Sequence, residues 1–113
     1  MQGYFTDDEL KCPCCGKVLM DKSFLRKLNL ARFIAGFPFV VNSGYRCPGH
    51  NKAVGSTSTN HTSGQAADIK CIDANRRYEM VLAMIGVRMM GIGIGKTFVH
   101  CDNKHPVHTL WTY

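Results

Sequence analysis

At 113 residues the chain has room for one domain, residues 1–113, and little for a second. Its apolar fraction of 45% is ordinary for a globular protein, and no run nears the ~18 apolar residues a membrane helix needs, so membrane insertion is not expected. Fourteen Lys and Arg against eight Asp and Glu give a net charge of +6, which favours anionic surfaces, a bacterial wall among them. The basic residues are spread over three segments rather than gathered into an arm, which argues against a specific nucleic-acid partner.

Residues 1–10 carry Asp7, Asp8 and Glu9 where a signal peptide would be basic and then apolar, so the chain is expected to be made in the cytoplasm without an export signal of its own. Cys12, Cys14 and Cys15 follow, crowded into Cys-Pro-Cys-Cys-Gly. Cys12 and Cys15 have zinc-knuckle spacing, but no second Cys-x-x-Cys supplies the remaining ligands. Reduced thiols are the expected state, with a second zinc or a disulfide as the alternatives.

From Asp21, a cap residue, Phe24, Leu28, Ala31 and Ile34 recur at three- and four-residue steps until Gly36 and Pro38, which predicts a core-facing helix. Phe39, Val40 and Val41 predict a short strand. A polar loop then runs from Ser43 to about Ser63, with one helical turn expected around His50 to Val54; a loop this long inside a small domain is usually functional or disordered. Gln65 to Cys71 alternates, placing Ala67, Ile69 and Cys71 on one face and Ala66, Asp68 and Lys70 on the other, as a strand does. Asp68 needs a partner if that face is covered. Asp73 caps a second predicted helix with Tyr78, Val81, Leu82 and Ile85 as its apolar stripe, ended by Gly86. After a glycine-punctuated stretch, Thr97 to Asp102 reads as a strand carrying Phe98, His100 and Asp102 on one face, and Trp111 to Tyr113 as an edge strand. The fold class expected is a small α+β domain, its sheet mostly antiparallel with flanking helices.

Two imidazoles and a carboxylate, His61, Asp68 and His100, form the type of three-ligand set that leaves a fourth zinc position open, as catalytic sites do and structural sites do not. His61 ends the polar loop, Asp68 lies on the strand that follows, and Gly64 lets the backbone turn between them. His50, His105 and His108 lack comparable surroundings and read as loop residues, His105 and His108 being the better placed to touch substrate.

The string Ser43-Gly-Tyr-Arg-Cys-Pro-Gly-His-Asn51, then Thr59-x-His61-x-x-Gly64-x-Ala66-x-Asp68-Ile69, then Phe98-Val-His100-x-Asp102 and the terminal Trp111-Thr-Tyr113, resembles the zinc D-alanyl-D-alanine carboxypeptidase family, in particular its compact branch of phage endolysin peptidases. The resemblance covers nearly the whole chain. It implies a fold shared with hedgehog amino-terminal domains, Zn2+ held by His61, Asp68 and His100, and hydrolysis of a peptide bond in peptidoglycan by a metal-activated water. It also implies a monomer that degrades cell wall as a released phage lysin or a virion-associated enzyme. Arg46 matches the family's substrate arginine, whose planar guanidinium can hold a carboxylate and steady the developing oxyanion. With Thr59, it makes up the expected substrate-binding pair.

One departure stands out. Many members carry an acidic base three residues before the last ligand, where this chain has Thr97. Asp102 is the nearest substitute, as a catalytic acid-base group or as a residue that orients His100. Thr97 keeps a rival alive, a non-catalytic zinc-containing binding module of the same fold. A nucleic-acid binder built on Cys12 and Cys15 is a second rival.

Overall fold

The structure, a computed structural model, describes residues 3–49 and 62–113. Three helices are described: α1 (Asp7–Leu10), α2 (Lys22–Ala35) and α3 (Ala74–Gly86). Five strands form one sheet: β1 (Val41–Ser43), β2 (Ala66–Lys70), β3 (Gly91–Ile94), β4 (Phe98–Asp102) and β5 (Thr109–Thr112), in the order β1-β2-β4-β3-β5. All neighbours are antiparallel except β3 and β5, which run parallel. This is the small α+β domain expected.

Local chemistry sets the helix ends. Asp21 Oδ2 accepts from Phe24 N–H at 2.9 Å, and Gly36 closes α2 in the left-handed region at φ 80°. Asp73 caps α3 in the same way. In α1, Thr6 and Glu9 form a reciprocal capping box, a signal present in the sequence but too short to carry a periodic pattern.

The sheet has two unlike faces. Ala67, Ile69, Val99, Cys101 and Ile92 face a core completed by Phe24, Leu28 and Ala31 of α2 and by Met80, Ala83 and Met84 of α3. Full burial of each large apolar side chain there contributes about 1.5–3 kcal/mol. The opposite face carries Asp68, His100 and Asp102, because strand side chains alternate.

Two expectations need correction. Of the stripe assigned to α3, Val81 packs partly buried against the core, but Tyr78, Leu82 and Ile85 are about half exposed or more, while Met80, Ala83 and Met84 are buried. The inward positions pack against Phe24, Leu28 and Ala31 of α2 and the core face of the sheet, where flexible methionine and small alanine side chains can fill the space between close neighbours. Ile34, placed in the α2 core stripe, is likewise exposed. The glycine-punctuated stretch, for which no strand was expected, contains β3, a central strand that pairs with both β4 and β5. The strand expected at 39–41 forms two residues later, as β1. The helical turn expected at His50 to Val54 lies outside the described residues.

Candidate metal centre and active site

Register builds the site. Ser43 pairs with Asp68, Asp68 with His100, His100 with Gly93, and Gly93 with Trp111. Directly opposed residues share a face, so one row across the sheet aligns a hydroxyl, a carboxylate, an imidazole, a gap and an indole. The adjacent row places Ala66, Asp102, Gly91 and Thr109 side by side.

Within these rows His100 is clamped at both ring nitrogens. Its Nδ1 lies 2.9 Å from Asp68 Oδ1 and its Nε2 lies 2.8 Å from Asp102 Oδ2. His100 is 5% exposed and Asp102 is fully buried. Burial alone would push the His100 pKa down, but hydrogen bonds to Asp102 and Asp68 outweigh it and raise the value to about 9. For Asp102, burial would favour the neutral acid. Bonds from His100 and His105 and from the backbone N–H groups of His105 and Lys104 reverse this and hold the carboxyl well below the usual carboxylate range.

His105 is drawn in by the same carboxylate. Its Nδ1 is 2.9 Å from both Asp102 oxygens, and its ring lies 4.9 Å, centroid to centroid, from Trp111, which also flanks His100 at 5.5 Å. The glycines of β3 make room for this layer. A Cβ on Gly93 would sit 2.7 Å from the Trp111 ring, and one on Gly91 would collide with the Asp102 carboxylate and with His105 Nδ1. Alternating glycines on the site-facing side of β3 are therefore the sequence signal for a layer of bulky side chains lying flat on that strand.

Before β2, Gly64 adopts φ 72°, and any side chain there would strike the Leu19 carbonyl, while its own carbonyl accepts from Asp21 N–H at 2.8 Å. This turn leads the chain into Asp68 against the start of α2. Arg46 leaves the sheet just after Ser43, whose Oγ accepts from Arg46 Nη2 at 3.1 Å. It lines a cleft of about 440 Å³ with Asp8, Glu9, Lys11 and Ser43, a cleft whose walls do not include Asp68, His100 or Asp102.

The structure thus brings together Asp68, His100 and Asp102, and holds Arg46 on Ser43, the residue that pairs with Asp68 across the sheet. His108 instead lines a separate cavity with Ile85, Met89 and Leu110. His61 and Thr59 lie outside the described residues, as does His50. Sequence reasoning left His105 in a loop and did not connect Trp111 to the histidines. Thr97, exposed on the turn into β4, offers only a hydroxyl, and its carbonyl accepts from Cys71 N–H.

The model of the Peptidase M15 family matches residues 3–102. The chain belongs to this family. No curated protein matches it. M15 peptidases are zinc-dependent, and the donors of this M15 chain suit that ion. An imidazole nitrogen and a carboxylate oxygen converge from neighbouring strands, and the imidazole's far nitrogen is held by a buried carboxylate, the arrangement that fixes the orientation of a metal-binding histidine.

A second cluster of possible metal donors lies elsewhere in the M15 domain. The thiol sulfurs of Cys12, Cys15 and Cys47 all lie within 4.8 Å of one another. The knuckle at residues 12–16 is closed by Gly16 N–H to the Cys12 carbonyl and by Cys12 N–H to the Lys17 carbonyl, both at 2.8 Å.

Proposed function

We propose that this M15 protein is a zinc metallopeptidase that hydrolyses a peptide bond in the stem peptides of bacterial peptidoglycan, with His61, Asp68 and His100 as the zinc ligands. The observation that carries this reading is the cross-strand pair of Asp68 and His100, backed by buried Asp102 on the same sheet face. A zinc ion held there would polarise the scissile carbonyl and bring the pKa of water to roughly 7. Charge supports the choice of substrate, since a +6 protein is concentrated on an anionic wall.

Each residue then has a task. Asp102 is a positioning residue: with both oxygens engaged and no exposure, it fixes the tautomer and direction of the His100 ring. The proton-transfer role that Thr97 cannot fill falls to His105, whose side chain is 30% exposed. Asp102 grips Nδ1 of His105, so Nε2 points away from the carboxylate and can take and return a proton. Arg46, held by Ser43 on the strand next to Asp68, binds a peptide carbonyl or carboxylate and steadies negative charge that develops on it. Trp111 covers the two histidines and limits the access of water to them.

Acting as a phage lysin, the chain would reach the wall after release through a separate pore. The test is digestion of purified peptidoglycan and defined muropeptides, read by mass spectrometry, by the parent and by His61→Ala and Asp68→Ala. Specific fragments from the parent alone are expected. Equal release by the variants would defeat the mechanism, and tight wall binding without fragments from the parent would establish the non-catalytic binding module instead.

A further inference from the structure

We propose that Cys12, Cys15 and Cys47 bind a second zinc ion, structural in role and separate from the centre at Asp68 and His100. The two halves of this site are far apart in sequence: a four-residue knuckle after α1, and the loop that follows β1. What joins them is the fold. Tyr45 N–H donates to the Leu10 carbonyl at 2.8 Å, which lays the Arg46 loop along the end of α1 and carries Cys47 to the knuckle. Cys47 N–H then points at Cys12 Sγ at 3.3 Å. A backbone N–H aimed at sulfur stabilises a thiolate, the form in which cysteine binds metal.

The spacing suits zinc. Sulfurs bound to one tetrahedral zinc at about 2.3 Å stand about 3.8 Å apart, and these three already lie within 4.8 Å of one another. An all-sulfur donor set selects zinc over the hard cations, which prefer oxygen. Cys14, next to Cys15 in the chain, is exposed. Cys12 is buried while Cys15 is exposed and Cys47 half-buried, so an ion can enter from solvent and then be anchored from within. The knuckle lacks two ligands of a closed tetrahedral site; Cys47, from a distant loop, supplies one of them, and the fourth corner is left to a donor outside the trio.

The consequence is mechanical. Cys47 is bonded to Arg46, so an ion on the trio would tether the arginine's loop to the amino-terminal segment, the two walls of the 440 Å³ cleft. Small domains with modest cores gain stability from such a cross-link.

Native mass spectrometry and cobalt substitution on the full chain test the idea. The parent should carry two zinc ions, and Cys15→Ser and Asp68→Ala one each. The Co2+ form should show a sulfur-to-metal charge-transfer band that survives Asp68→Ala and vanishes in Cys15→Ser. In the unaltered holoprotein, alkylation of exposed Cys15 should be slow until a chelator is added. Retention of both ions by Cys15→Ser, absence of the band from the parent, or immediate alkylation would overturn the proposal. So would an intact mass two units below the fully reduced chain, which marks a disulfide. One ion lost in Cys15→Ser but kept in Asp68→Ala would support this site and sink the catalytic reading; the reverse pattern would do the opposite.

Discussion

A proton on His100 should stabilise the metal-free protein, and removing it should cost measurable stability. An unfolded imidazole titrates near 6.5, whereas His100 between Asp68 and Asp102 is raised to about 9. A raised value means that the folded state holds the proton more tightly. The stabilisation is therefore complete below about pH 6.5 and disappears as the pH climbs through 9. The difference corresponds to on the order of 3 kcal/mol for this buried ring. Chemical denaturation in the presence of a chelator, at intervals from pH 6 to 10, should show the parent losing about that much relative to His100→Gln, whose side chain does not titrate. Groups remote from His100 titrate alike in both proteins and cancel in the comparison, while Asp102, which loses a stabilising bond in the variant, keeps those from His105 and the backbone N–H groups of His105 and Lys104. A parent-to-variant gap of the same size at pH 6 and pH 10 would refute the reasoning. The same proton must leave before zinc can use the ring, so zinc binding at this centre should strengthen as the pH rises.

Other outcomes follow from the geometry. Gly93→Ala should displace Trp111, lowering stability by about 1–3 kcal/mol and shifting the emission of the chain's single tryptophan, because a Cβ there meets the indole at 2.7 Å. Arg46→Ala should weaken peptide turnover with zinc content unchanged, and Arg46→Lys should recover little of it, since a point charge does not replace a planar fork; equal rates for Arg46→Lys and the parent in the peptidoglycan assay would remove Arg46 from substrate binding. Asp21→Ala should cost about 1 kcal/mol in thermal unfolding through loss of the α2 cap, leaving zinc content unaltered.

Much of this domain is legible in its residues, and what is not has physical causes. The cap-to-glycine span of α2 and the alternation in β2 and β4 are strong local signals, and they suffice to place Asp68, His100 and Asp102 on one sheet face. Three of the four residues of the α3 stripe face outward, Val81 alone packing against the core, because a helix with apolar residues on two sides does not say which side faces in. Tyr78, Leu82 and Ile85 outrank Met80, Ala83 and Met84 in bulk, but the inner groove selects for fit. β3 escaped notice since glycine disfavours strands in isolation. Its glycines make sense only beside Trp111, Asp102 and His105, partners 11 to 18 positions away that register brings into contact. Cys47 joins the knuckle for the same kind of reason: local spacing around Cys12 and Cys15 contains no trace of a ligand 32 residues further on.

Asp102 couples the two histidines, and this coupling makes the division of labour testable. If the carboxylate only oriented His100, Asp102→Asn would lower zinc affinity by about 10- to 100-fold and leave proton transfer at saturating zinc intact. It also grips His105 Nδ1 through the same two oxygens, so the variant should lose turnover even when zinc is restored. His105→Gln, in contrast, should keep zinc affinity near that of the parent and lose about 100-fold or more in rate. The double variant then separates the cases. With His105 already gone, Asp102→Asn has no proton-transfer group left to misplace, and at saturating zinc its further effect on rate should be small. Strict additivity of the two rate losses would mean that His105 and Asp102 act independently, and would remove His105 from the proton-transfer role.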